Sequence, residues 1–456
     1  MAVDLRKFFQ ATDPSRTLSV GSADDRQYYI DFSSVRGGEM IQKLKQRIAF
    51  FSPDEPTCAL FTGHIGCGKS TELLRLKTEL EQDGFHVVYF ESSEDLEMTD
   101  VDIGDVLLAI AHRIGQSLAE IQLNEPKGLM RLLRGAADLL QTEIELAGEV
   151  DAGIGKVTAS EDGISLAFGI GKITARAKSD SKLRERLNQY LAPQKAELLN
   201  AINQELLGPA IATLKQQGKR GLVAIVDNLD RIDSRPKPFG RPQDAYLFVD
   251  QGEALNKLNC HMVYTMPLAL KFSNDYGMLT QRFPDDPKVL PMVPVRHPDG
   301  TLHKQGIALL RQMVLIRAFP ELDEANRLQA TTEIFDTLET LDRLCQVSGG
   351  HVRDLLRLLN AWIMEEMALP LTGDVLETVI RSRRNEMIMP IADREWQLLR
   401  KVQQRKRVSD DEGYQKLIRS RFVFEYRDRG ECWFDINPIL AEAPELSHSQ
   451  SLKPNP

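Results

Sequence analysis

The chain has 456 residues, 42% hydrophobic and 27% charged, with a net charge of −9. That length implies about two to four domains, and the acidic balance argues against a general nucleic-acid coat while leaving room for one local basic face. No apolar stretch approaches the ~20 residues that span a membrane. The five cysteines (Cys58, Cys67, Cys260, Cys345 and Cys432) have no metal-type spacing and no signal peptide precedes them, so they read as reduced thiols of a cytoplasmic protein.

Residues 1–34 are polar and read as a lead-in. Val35-Arg36-Gly37-Gly38 then precedes a helix pattern from Glu39 to Phe50. A short apolar run over 57–62 predicts a buried strand. It leads into Gly63-His64-Ile65-Gly66-Cys67-Gly68-Lys69-Ser70, a G-x-x-x-x-G-K-[ST] loop. Each part of this pattern has a mechanical task. The glycines let backbone N–H groups wrap a phosphate chain, Lys69 neutralises the β/γ-phosphates, and the Ser70 hydroxyl ligates Mg²⁺. From Thr71 the chain carries Leu73, Leu74, Leu76 and Leu80 at helical spacing and stops at Gly84. Strand, glycine loop and helix are the setting an ATP cradle needs. Cys67, inside the loop, reads as a small residue at a permissive position.

Further strands are predicted over 86–90, 221–226, 260–265 and 288–295. Apolar runs of this length between helices indicate a parallel sheet covered on both faces. Roughly 130 residues separate the second strand from the third, far more than a crossover needs. Helices are predicted within them over 104–120, 126–147 and 181–218. Between these, Ala152–Ala159 is nearly repeated as Phe168–Ala175, with a turn signal at Ser160–Gly163. The spacing predicts an inserted glycine-rich β-hairpin over 150–177, either a plain surface hairpin or an element for self-assembly or effector contact.

Leu222–Asp227 ends an apolar run in a carboxylate, the Walker B pattern, so Asp227 is the expected second Mg²⁺ anchor. A base must also orient water at the γ-phosphate. Asn228 is a weak base. Asp230 is the nearest carboxylate on the same loop and the favoured candidate, and Glu91 is the other.

Helices are predicted near 303–318, 322–347 and 348–364. Two more follow over 393–406 and 411–420, and two alternating runs, 422–426 and 431–435, flank a turn at 427–430. Helices followed by a two-stranded ribbon make a winged-helix pattern. The polar tail, 446–456, is expected to be disordered.

These motifs together resemble the AAA+ and STAND branch of P-loop ATPases with a C-terminal winged helix, as also seen in archaeal origin-recognition initiators. The resemblance implies an α/β P-loop core over 35–300 with an insert at about 125–200, a helical lid over 301–389 and a winged helix over 390–445. Asn228 departs from the Asp-Glu pair common in AAA+ proteins, which implies slow turnover. By the same resemblance Thr265 is a sensor of the γ-phosphate, or else an ordinary strand-end hydroxyl. Arg282 is an arginine finger reaching a neighbour's ATP, or a surface ion pair. Arg353, after Gly349-Gly350, is a lid arginine that touches the phosphates. Arg36 belongs to a short motif flanking the adenine, and Thr71 completes the nucleotide contacts.

Residues 393–440 carry 11 Lys/Arg against 9 Asp/Glu, a local balance of +2. The basic residues include Arg400, Lys401, Arg405, Lys406, Arg407, Lys416, Arg419 and Arg421. Their winged helix reads either as an internal clamp or protein-contact module, or as a DNA-binding module. The implied activity is ATP hydrolysis with Mg²⁺, in a switch that couples nucleotide state to lid and winged helix. The implied partners are a second copy, an effector protein or DNA. A DNA-loading ATPase and an anti-phage or signalling scaffold are the alternatives.

Overall fold

The computed structural model describes residues 3–119, 127–139, 163–409, 412–428 and 430–447. Strands β1 (Cys58–Gly63), β2 (His86–Glu91), β3 (Leu222–Asp227), β4 (His261–Met266) and β5 (Lys288–Leu290) form one sheet in the order β2-β3-β4-β1-β5. Every pairing is parallel. β1, β3 and β4 are buried at every residue, as central strands covered on both faces must be. This is an α/β P-loop NTPase fold.

Alternate side chains of each strand feed opposite cores. Leu60, Val88, Val226 and Met262 pack against the helices Ile103–Ser117, Lys127–Leu139, Gly163–Ser179 and Ser181–Leu191. Phe61, Val223, Ile225 and Val263 pack against Leu73, Leu76 and Leu80 of helix Lys69–Gln82 and against Ile41 and Leu44. The apolar residues of Lys69–Gln82 recur every three or four positions, so one stripe of the helix is apolar and lies on the sheet.

The inserted hairpin is corrected in its second half. Residues 163–179 form a helix, because Ile170, Ile173 and Ala177 recur at helical spacing and are buried together against Ile103–Ser117. The first half, 152–159, lies outside the described residues. The predicted fifth strand is also shorter. Past Leu290 the Met292 N–H donates to the carbonyl of Glu425, so the C-terminal ribbon captures this stretch.

The third core is helical. Lys304–Ala318, Leu338–Val347, Val352–Glu366 and Gly373–Ile388 pack around Leu310, Leu344, Leu359 and Trp362. The predicted helix 322–347 is broken between Gln329 and Leu338. The polar lead-in is not a loose arm. Leu5–Ala11 is a helix capped by Asp4, its Phe8 enters this third core, and Asn360 donates to the Phe9 carbonyl at 3.4 Å.

At the C-terminus, helices Asp393–Arg405 and Glu412–Arg419 precede an antiparallel ribbon, β6 (Val423–Asp428) paired with β7 (Glu431–Ile436). The ribbon straddles two cores. Phe424, Tyr426 and Trp433 join the sheet's core, while Val423, Phe434 and Ile436 join the helical one. The expected disordered tail begins in a short helix, Pro444–Ser447, and its remainder lies outside the described residues. No helix among the described residues is long and apolar enough to cross a membrane.

Candidate functional site

The glycine loop connects β1 to helix Lys69–Gln82, as its spacing predicts. Lys69 is buried, and its ammonium donates to the carbonyls of Gly63 (2.9 Å) and His64 (3.0 Å). It also lies 2.9 Å from the Asp230 carboxylate. Burial alone would lower the Lys69 pKa. The facing Asp230, together with Cys67 and Asp227, outweighs it and holds the ammonium above its ordinary value. Asp230 therefore serves as the counter-ion of Lys69. Its other oxygen, Oδ1, is buried and has no hydrogen-bond partner.

The pocket above the loop is lined by Ile65, Gly66, Gly68, Lys69, Ser70 and Thr71. Asn228, Asp230 and Arg231 line its second wall, and Val352, Arg353 and Leu356 its third. Pro14, Arg16 and Thr17 close it from the N-terminal segment. The sequence reading missed these three and Arg231, since nothing in a polar lead-in marks where it packs.

The residues that would hold a metal are brought together by one that was also missed. The Tyr89 hydroxyl donates to Asp227 Oδ2 at 2.7 Å, with the Ser70 side chain beside it. Ser70 and Asp227 thus face one point beside the loop, a hydroxyl and a carboxylate suited to a hard cation such as Mg²⁺. Glu91 ends β2 in register with Asp227, and its carboxylate accepts from the Asn228 side-chain amide. Burial, then the Asp227 charge, raises the Glu91 pKa. Asn228 reaches this position through a left-handed backbone (φ +61), which Asn tolerates better than most residues.

Three expected residues stand outside the lining of this pocket. Thr265 is fully buried, donates to the Val226 carbonyl and accepts from the Asp230 N–H, both at 3.4 Å. It braces the turn that carries Asp230 and does not line the pocket. Arg36 lines a neighbouring pocket with Phe32, Glu39 and Glu72. Its guanidinium is buried behind the loop, over the Phe32 ring, and donates to the Cys67 carbonyl at 2.9 Å. Arg282 is exposed at the end of helix Tyr276–Arg282 and does not line this chain's pocket.

Arg353 lines the pocket, and its N–H donates to the Gly66 carbonyl at 3.1 Å. A Cβ on Gly66 would stand 2.7 Å from the His351 ring and 3.0 Å from Arg353 Cβ, so this approach requires glycine. A Cβ on Gly350 would lie 1.7 Å from the Val293 carbonyl, so glycine is needed there too. His351 Nδ1 accepts from the Asp354 N–H at 3.0 Å, leaving Nε2–H to donate to the Ile65 carbonyl at 2.8 Å. That network assigns a neutral imidazole, and burial pushes its pKa down to about 4.

The ribbon reaches the same loop. His64 Nε2 accepts from the Glu425 N–H at 2.9 Å. Phe424 stacks on His351 and meets His64 edge-on, with ring centroids 5.6 and 5.5 Å away. Among the described residues, His297, His303 and Asp428 also bring ligand atoms within 4.8 Å of one another. His303 Nδ1 accepts from the Gly306 N–H, so its Nε2 carries the proton and faces Asp428 at 3.7 Å. This group ties the ribbon to the core, and His303 has no free lone pair facing Asp428.

No protein-family model matches the chain, and no curated protein matches it. Among the solved structures that match are three that align along most of its length. The Walker-type ATPase PABY2304 of Pyrococcus abyssi is 11% identical, with 96% of this chain and 100% of that one covered and a TM-score of 0.41. Cdc6p from Pyrobaculum aerophilum is 12% identical, with 93% and 97% covered and a TM-score of 0.36. The Aeropyrum pernix Orc1 protein, solved in complex with DNA, is 12% identical, with 89% and 93% covered and a TM-score of 0.33. At such scores the fold rests on the strand order and on the loop it positions.

Proposed function

We propose that the chain is an ATP-driven switch of AAA+ type. ATP lies on the loop 63–70, with Lys69 on its β/γ-phosphates and Ser70 and Asp227 holding Mg²⁺. Glu91, steadied by Asn228, orients and deprotonates the attacking water. It takes this role in place of Asp230, which is occupied with Lys69. Residues 301–389 act as a lid and 390–445 as a winged-helix clamp. One observation carries the reading: the loop is held on two sides, by the lid at Gly66–Arg353 and by the ribbon at His64–Glu425. A ligand that changes the loop then changes the free energy of both contacts, which is the condition for a switch. The test is ATP consumption without any added acceptor, together with proteolytic or exchange protection of 390–445 in ATP and in ADP. Identical protection in both, or no phosphate release, would sink it.

DNA contact through the winged helix is a second reading. Lys401, Arg405 and Arg407 are exposed on and after helix Asp393–Arg405. Against it, Lys406 pairs with Asp435, Lys416 with Glu395, Arg419 with Asp244 and Arg421 with Asp354. Filter binding at low salt in ATP and in ADP decides between the readings. Self-assembly, with Arg282 offered to a neighbour, is tested by light scattering with and without ATP.

A further inference from the structure

Two cations in the candidate site have no counter-ion. Lys69 is balanced by Asp230 at 2.9 Å. Arg231 and Arg353 line the same pocket, yet among the described residues neither guanidinium has a carboxylate within ion-pairing distance or a hydrogen bond. Arg231 is exposed and Arg353 half-buried. Arg353 is discouraged from holding its proton by burial first, then by the charges of Arg231, Arg357 and Arg421, with Asp354 acting the other way. Like charges on one pocket repel, less where water reaches them, and an anion bound between them relieves the repulsion. Arginine forks match phosphate oxygens in pairs, so an anion taken up between them would have the chemistry of a phosphate.

The chain position of Arg231 says which phosphate. It follows Asp230, the partner of Lys69, in the short turn that closes β3. It therefore stands at the Lys69 end of the loop, where β/γ-phosphates would lie. It also borders the adjoining cavity lined by Gly63, Ile65 and Arg419. Glu91 feels the Arg231 charge but is held by Asn228.

We infer that Arg231 grips the terminal phosphate of ATP from within the same chain, opposite Arg353, so that ATP is told from ADP without an arginine from a second copy. This rests on the ATP reading above. In ADP the two guanidinium groups are left facing each other; in ATP the γ-phosphate lies between them. Arg282, exposed and outside this pocket, is not needed for that discrimination.

The experiment is equilibrium binding of ATP, ADP and inorganic phosphate, with Mg²⁺, to the full chain. The variants are Arg231→Ala, Arg231→Lys, Arg282→Ala and Lys69→Ala, and melting curves confirm that each is folded. Arg231→Ala is expected to lose about tenfold to hundredfold in ATP affinity with little change for ADP. Arg231→Lys is expected to recover part of that loss. An unchanged ATP:ADP ratio in Arg231→Ala, or a lost preference in Arg282→Ala, overturns the inference while the ATP reading stands. Wild-type protein that binds neither nucleotide, or Lys69→Ala that binds ATP as well as wild type does, overturns the ATP reading itself.

Discussion

The backbone N–H of Glu425 donates to the Nε2 of His64 across 361 positions of chain, at 2.9 Å. A ribbon at the far end of the sequence thus holds a side chain of the glycine loop. Phe424 lies against the rings of His64 and His351, and the Tyr426 hydroxyl donates to the Gly349 carbonyl at 2.8 Å. Loop, helical region and ribbon form one contact, so a displacement of any one strains the other two.

Phe424→Ala should remove the centre of that contact. Emptying a fully buried phenylalanine costs about 3–5 kcal/mol. Hydrogen exchange of residues 63–70 should speed up in the variant. If their protection is unchanged, the ribbon does not brace the loop.

Acid should loosen the same contact. Folded His351 is held to about 4 by burial first, against the raising effect of Asp354; Arg421 and Arg353 also lower it. Burial, His351, Lys69 and Arg421 hold His64 below its ordinary value. The unfolded chain takes up these protons near 6.5. Below that pH the unfolded state binds more protons, so stability falls as pH drops toward the folded value. Each such histidine contributes a slope of about 1.4 kcal/mol per pH unit. Denaturant midpoints between pH 7 and 4.5 should show this fall, with a shallower slope in His351→Gln.

Asp230→Asn should leave Lys69 buried without its counter-ion, at a cost of about 3–5 kcal/mol. ATP supplies the missing charge, so the rise in Tm on adding ATP should exceed that of wild type. Turnover should largely persist. Loss of turnover without loss of ATP binding would return the role of base to Asp230.

Glu91→Gln should bind ATP normally and hydrolyse it about 10²- to 10⁴-fold more slowly, the range for losing a general base. A base acts when ionised, and burial with the Asp227 charge raises the Glu91 pKa. The kcat/KM profile should therefore climb with pH through a value above the usual carboxylate range. The limb should vanish in Glu91→Gln.

Tyr89→Phe should act on the metal. The hydroxyl holds the Asp227 carboxylate, and losing a group that orients a metal ligand typically costs about 10- to 100-fold in affinity. Mg²⁺ titration of the nucleotide complex should show this drop, with nucleotide affinity in chelator unchanged.

Much of the site was legible along the chain. The loop 63–70, the helix from Lys69 and Asp227 at a strand end are set by local spacing: a buried run, glycines where backbone must approach, and apolar residues every three or four positions. Repetition misled at 168–175, because Gly-Ile-Gly-Lys-Ile suits a strand until Ile170, Ile173 and Ala177 are seen to share one helix face. Nor does periodicity tell which carboxylate is free. Asp230 and Glu91 look alike in sequence, and only packing ties the first to Lys69 and the second to Asn228.

The sequence by itself therefore determined the sheet, the loop and the carboxylate that ends β3, since each depends on neighbours a few residues away. Tertiary structure alone decided that Pro14, Arg16 and Thr17 close the pocket, that Tyr89 holds Asp227, that Arg231 and Arg353 line one pocket, and that Glu425 holds His64. These relations join residues tens to hundreds of positions apart or turn on which way a side chain points. They are fixed by the packing of three cores, which no local pattern records.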